Sequence, residues 1–198
     1  MKKSLLGLLL AVAMVVPAFA QKGDMSVNAK LGLGVNSYVS GSENDVVQGF
    51  KVDTPFMIGA EFFYGLLDNL SLGLGANYFF DTPAKVDSNA KYGTTNIYAT
   101  VKPEFKVEAA PFSSVYLIGQ IGLSMVRAKS DDPGAKSVDI DPGIYLGAGF
   151  GTTIKDAVFI ELIFSSCNGK SNGNAPSDKD IDVQYTVTQL NIGYKFNI

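Results

Sequence analysis

Apolar and polar residues alternate along most of the chain, and the alternation comes in eight runs. Between 26 and 39, Val27, Ala29, Leu31, Leu33 and Val35 take the odd positions, while Asn28, Lys30, Gly32, Gly34 and Asn36 take the even ones. Successive side chains of a strand point to opposite faces, so this run is a strand with one apolar face. The same pattern predicts strands over 55–64, 70–80, 94–107, 114–127, 142–154, 157–167 and 185–198. No stretch within these runs holds 18 consecutive apolar residues, which excludes a helical membrane protein.

The connections between the runs alternate in length. Segments 65–69, 108–113 and 155–156 are tight turns, whereas 40–54, 81–93, 128–141 and 168–184 are longer and rich in Ser, Asn, Asp, Lys and Gly. An even number of antiparallel strands, with short turns at one end and long polar loops at the other, is the pattern of a transmembrane β-barrel. Backbone groups in hydrocarbon must be paired within the protein, so the sheet has to close on itself. The expected fold is therefore all-β, an eight-stranded antiparallel transmembrane β-barrel.

The two faces agree with this expectation. The outward set includes Leu31, Leu33, Ile58, Phe62, Leu72, Leu74, Ile97, Val101, Leu117, Ile121, Leu123, Leu146, Phe150, Ile160, Leu162, Leu190, Ile192 and Tyr194, with no charge through the middle of any strand. Tyr38, Tyr64, Tyr78, Phe105, Tyr194 and Phe196 fall near strand ends, where aromatic girdles form. A soluble eight-stranded carrier would have an apolar lumen and a charged exterior instead.

The first segment reads as an export signal. Lys2 and Lys3 precede an apolar run over 5–16, and Pro17 breaks it ahead of Ala18-Phe19-Ala20, small at the −3 and −1 positions of a cleavage site. About 12 apolar residues fall short of the ~20 that a spanning helix needs. Gln21 follows the cut where a lipoprotein would carry Cys. The chain thus divides into a signal peptide, 1–20, and a barrel domain, 21–198.

Composition narrows the chemistry. The 198 residues contain no histidine, which removes triads and His-ligated zinc, and a lone Cys167 removes an internal disulfide framework. A net charge of −3 argues against a nucleic-acid-binding surface. The 21 glycines and 22 Tyr and Phe residues suit strands and turns.

The closing segment, Asn191-Ile192-Gly193-Tyr194-Lys195-Phe196-Asn197-Ile198, together with the signal peptide and the eight strands, resembles the small OmpA/OmpX-type outer-membrane barrels, outer-membrane β-barrel domain proteins. The resemblance implies the cell outer membrane of a Gram-negative envelope, with outer-membrane lipid and lipopolysaccharide as surroundings. It implies an assembly signal read by the barrel assembly machinery, carried here by Asn191, Gly193, Phe196 and Ile198, with a terminal Ile where the family usually has an aromatic. It also implies that the periplasmic peptidoglycan-binding domain of larger members is absent. Enzymatic barrels of similar size rely on a catalytic histidine, so the resemblance implies no enzyme, and no cofactor or metal is expected.

The inward face holds the candidate chemistry. Lys30, Lys102, Lys106 and Lys195 oppose Glu61, Glu104 and Glu161 in a narrow lumen, all in the half nearer the short turns. Buried charges must pair, and side chains nearly fill an eight-stranded barrel. The simplest role is a salt-bridged plug; a gated ion path or proton relay is the alternative. Paired Glu104 and Glu161 suggest glycosidase chemistry only remotely, given the interleaved lysines. Toward the long loops, Gly34, Gly59, Gly75, Gly122 and Gly147 alternate with Met57, Phe79, Tyr98, Tyr145, Ile163 and Val187. These form either a small apolar pocket or close packing of aromatics against glycines, and packing is the simpler reading.

Other motifs carry less. Gly147-Ala148-Gly149-Phe150-Gly151 superficially resembles a dinucleotide loop but lies inside a strand with no helix after it. Asp131-Asp132 and Asp178, Asp180 and Asp182 lack EF-hand spacing and read as solvated loop charges. Cys167 has no basic partner nearby in sequence. Pro103 predicts a bulge, since proline has no N–H for its neighbour. The reading is a monomeric barrel of structural or surface-interaction type, with a surface ligand or host factor as partner. The alternative is a narrow channel or carrier for small hydrophobic molecules.

Overall fold

A computed structural model describes residues 23–43, 46–109, 111–131, 140–172 and 179–198. The signal-peptide segment, and Asp132 and Asp178 of the acidic clusters, lie outside these residues. Among the described residues nine strands follow one another: β1 (Met25–Glu43), β2 (Val46–Lys51), β3 (Phe56–Leu67), β4 (Leu70–Pro83), β5 (Ala90–Ala109), β6 (Phe112–Ser130), β7 (Ile140–Ile154), β8 (Val158–Asn172) and β9 (Lys179–Asn197). Eight of them close a ring, because β1 pairs antiparallel with β9 as well as with β3. Closure leaves no free edge around the barrel and satisfies the backbone without water.

The ninth strand corrects the expected loop over 40–54. There, β2 folds back on the upper part of β1, from Tyr38↔Lys51 to Glu43↔Val46, above the point where β3 stops pairing with β1 at Leu33↔Phe56. It takes the place of β3 in the wall. Backbone bonds from Asp53 to Pro83 and from Lys85 to Lys51 tie its end to the segment after β4, and Val52 bridges Ala84. The long connections are also shorter than expected, since β5, β8 and β9 run on into them.

Pro103 makes no bulge. The β5–β6 pairing has the same offset at Val101↔Gly119 and at Glu104↔Tyr116, so the proline drops rungs without shifting register. Glu104 on its far side donates its N–H to Asn69, which places the donorless Pro103 nitrogen toward β6. The register shifts of β5 fall at its two ends instead, between Lys106 and Ala109 against β6 and opposite Phe79 and Thr82 of β4.

The outward set forms the expected apolar wall. Ile121, Leu117, Phe150 and Ile192 are all more than half exposed, and none of the 18 outward residues is buried. Tyr64 departs from its expected girdle position: it is buried, with Gly23 lying against its ring. Tyr38, Phe105, Tyr194 and Phe196 do face outward.

Candidate functional site in the barrel lumen

The lumen is built by the inward parity of each strand, and it divides by height. Toward the short turns lies an ionic cluster. Lys30 of β1 sits in register between Gly59 of β3 and Gly193 of β9, neighbours that contribute no side chain. Its Nζ lies 2.9 Å from Glu61 Oε2 and 3.5 Å from Glu161 Oε2, so a single ammonium serves two carboxylates. All three residues are at most 3% exposed. Glu61 Oε1 accepts hydrogen bonds from Gln120 Nε2 at 3.0 Å and from Thr100 Oγ1 at 3.4 Å, and Glu161 Oε1 accepts one from the Tyr116 hydroxyl at 3.3 Å. The cluster spans the lumen from β1 to β6, because its members stand on five strands.

The other four predicted charges lie lower and are brought together less tightly. Lys102 is buried between the rings of Phe63 and Tyr116, 4.5 and 4.8 Å from their centroids, and its Nζ is 3.6 Å from Glu104 Oε2. Such cation–π contacts partly replace lost hydration. Glu104 Oε1 also accepts a hydrogen bond from the Ser114 hydroxyl. Lys106 and Lys195 point into the mouth and make no ion pair with any described residue.

Toward the long loops the lumen is aromatic. Met57, Phe79, Tyr98, Tyr145 and Val187 join Val39, Val52, Val126, Cys167 and Tyr185 in one packed cluster, while Ile163 packs lower with Tyr116 and Ile118. Tyr98 and Tyr145 stack with centroids 5.1 Å apart, and Phe79 meets Tyr185 edge-on. Gly75 makes room for one of these rings, since a Cβ there would come within 2.7 Å of the Tyr98 ring and 2.6 Å of Glu61 Cγ, whereas a Cβ on Gly34 would meet Pro55 and Ser37. Cys167 is buried in this layer with its Sγ 3.5 Å from Asn96 Oδ1, and Asn96 donates to Asn77 and Thr94.

Two residues couple the layers. Gln120 donates to Glu61 below and accepts from the Tyr145 hydroxyl above at 2.8 Å, and the Tyr98 ring faces Lys30 Nζ at 5.7 Å. Sequence reasoning named neither Gln120, Thr100 nor Tyr116 as part of the cluster, although inward parity marks all three. It also missed an outward cluster above the apolar wall, where Asp81 joins Arg127 and Lys129 beside Tyr78.

Of the expected assembly signal, Phe196 and Ile198 face outward and Asn191 is buried in the lumen. Gly193 has a packing role as well: a Cβ there would lie 2.2 Å from the Phe159 ring. Among the described residues no group of three or more Cys, Asp or Glu side chains is placed to hold a metal.

A closed antiparallel ring with an apolar exterior and a charged lumen defines a membrane barrel. The sequence matches the outer membrane protein beta-barrel domain over residues 6–197, and the chain belongs to that family, which places it in the outer membrane. Its fold is similar to Neisserial surface protein A (TM-score 0.52, 15% identity, covering 88% of this chain and 100% of that one). It is similar also to the outer membrane protein OprG from Pseudomonas aeruginosa (0.52, 15%, 88% and 96%) and to Ail, the attachment invasion locus protein of Yersinia pestis, in complex with the heparin analogue sucrose octasulfate (0.50, 16%, 88% and 100%). At these identities the likeness is one of fold. No curated protein matches the sequence.

Proposed function

We propose that this outer-membrane barrel is a monomeric, non-enzymatic structural or surface-interaction protein whose lumen is closed by a charged plug. One observation carries the reading: Lys30, Glu61 and Glu161 meet in the middle of the lumen, buried and hydrogen-bonded by Gln120, Thr100 and Tyr116. Lys102 and Glu104 extend the plug downward. The triad sets one ammonium against two carboxylates, whose remaining oxygens are held by hydrogen bonds, so an ion entering the lumen has to break these contacts. The aromatic layer above it is packed, which favours a lid over a pocket for hydrophobic cargo. The wall prolonged by β2 and the long strands of β5, β8 and β9 carries the loops away from the membrane, where a surface ligand or host factor would be met. Asn191, Gly193, Phe196 and Ile198 serve as the signal read by the assembly machinery in this reading.

Planar-bilayer conductance of the folded chain tests it, with a Lys30→Ala, Glu61→Ala, Glu161→Ala triple variant beside the wild type. Removing the whole triad opens space without leaving an unpaired charge. The expected result is a silent wild type and a leaking triple variant. A steady wild-type current would make the protein a narrow channel, and a silent triple variant would move the seal to the aromatic layer; either overturns the plug.

A further inference from the structure

We propose that the lumen triad is a proton-binding site, with one proton held on Glu161 at neutral pH and the negative charge carried by Glu61. Lys30, Glu61 and Glu161 set one ammonium against two carboxyl groups, and all three residues are at most 3% exposed. With both carboxyls ionised, one negative charge would stand uncompensated in the middle of the barrel. The next pair down, Lys102 with Glu104, brings one charge of each sign and leaves that count unchanged. Beyond it, Lys106, Lys155 and Lys195 line the open mouth together with Asp24, Asp68 and Asp156, again equal in number. A buried charge without a counter-charge is costly enough that a carboxyl takes up a proton instead. The proposal concerns the same three residues as the plug but does not rest on their closing the lumen.

The contacts of the two carboxyls differ, and they place the proton on Glu161. Glu61 has both oxygens engaged: Oε2 lies 2.9 Å from Lys30 Nζ, and Oε1 accepts from Gln120 Nε2 at 3.0 Å and from Thr100 Oγ1 at 3.4 Å. Donors gathered in this way favour the ionised form. Glu161 is served less well. Its Oε1 accepts from the Tyr116 hydroxyl at 3.3 Å, and its Oε2, 3.5 Å from Lys30 Nζ, has no hydrogen bond among the described residues. On the neighbouring strands Glu161 stands opposite Gly151 of β7, which has no side chain, and Asn191 of β9. Asn191 is fully buried, and neither polar atom of its amide has a hydrogen bond among the described residues. Two directly opposed residues thus each carry an acceptor without a donor. A proton on Glu161 Oε2 is that donor, and Asn191 Oδ1 receives it. The charged groups whose fields reach Glu161 are Lys30, Glu61 and Lys102, and Lys102 pairs with Glu104. Release of the proton sets two carboxylates on a single ammonium, so the cluster loosens as pH rises.

NMR of the side-chain carboxyl carbons reads protonation directly, on the wild-type barrel folded in phosphatidylcholine vesicles, with each carboxyl assigned through its own backbone. At neutral pH Glu161 is expected at the shift of a carboxylic acid and Glu61 at that of a carboxylate. Two carboxylate shifts, or the acid shift on Glu61, would overturn the proposal. Glu161→Gln supplies a second test, since its amide keeps the shape of the neutral acid and can donate to Asn191. The unfolded chain releases the proton at about pH 4, as a free glutamate does. The folded wild type keeps it, so the unfolding constant of wild type relative to that of the variant should rise by up to about tenfold per pH unit from there toward neutrality. Urea unfolding from detergent micelles measures that ratio, and a ratio that stays flat with pH also defeats the assignment. A conducting wild type with the acid shift on Glu161 would sink the seal and uphold the proton site, whereas a silent wild type with two carboxylate shifts would do the reverse.

Discussion

The two halves of the lumen solve the same packing problem by different physics. The half near the long loops is filled by rings and methyl groups, with Asn77, Asn96 and Thr94 hydrogen-bonded to one another within it. The half near the short turns is filled by charges that depend on their partners, with Lys30 answering two carboxylates at once. The aromatic half is held by area and shape, so losing one ring costs chiefly the cavity it leaves. The charged half is held by mutual dependence, so losing one member exposes the rest. The lesson is that stability in the two halves should respond differently to the loss of a single side chain and to its repair.

The largest effect is expected from Lys30→Met, which leaves Glu61 and Glu161 facing each other without their ammonium. A loss of about 3–5 kcal/mol is expected in urea unfolding from detergent micelles. Adding Glu61→Gln and Glu161→Gln to Lys30→Met should recover most of it, a coupling measured by a cycle in which the two carboxylate substitutions are made together as one change. Tyr98→Ala, in the other half, should cost about 3–4 kcal/mol through the cavity it leaves. No carboxylate substitution should rescue it; rescue by Glu61→Gln would show that Tyr98 acts through Lys30 and that the halves are one unit. Gly75→Val probes their boundary, since the added carbons meet both Glu61 and the Tyr98 ring, and about 1–3 kcal/mol of overpacking is expected in the same titration. Lys129→Ala in the outward cluster removes an exposed partner of Asp81, and a change below about 1 kcal/mol, shrinking with salt, is expected from thermal unfolding.

Much of this comparison is legible along the chain. Inward parity assigns Lys30, Glu61, Glu161, Tyr98 and Tyr145 to the lumen, and position relative to the short turns separates charged from aromatic. Strand β2 escaped because its residues 46–51 lie within a polar connection and are too few to show a period. At Pro103 the missing donor faces one neighbour alone, and which neighbour depends on the pairing, which the sequence does not carry. Tyr64 keeps outward parity, yet the chain before β1 folds over it.

A period of two assigns every side chain to a face, so the eight-stranded barrel, its apolar wall and the residues that face inward follow from the chain alone. Which inward residues meet depends on how the strands are staggered around the ring. Glu61 and Glu161 are 100 residues apart, and they share Lys30 because β1 lies between β3 and β9, with β8 one strand further on. Their heights are set by the register of each strand pair and by closure of the ring, and no single strand carries that information. The same stagger leaves Lys106 and Lys195 at the mouth without an ion-pair partner among the described residues, although in sequence they look equivalent to Lys30.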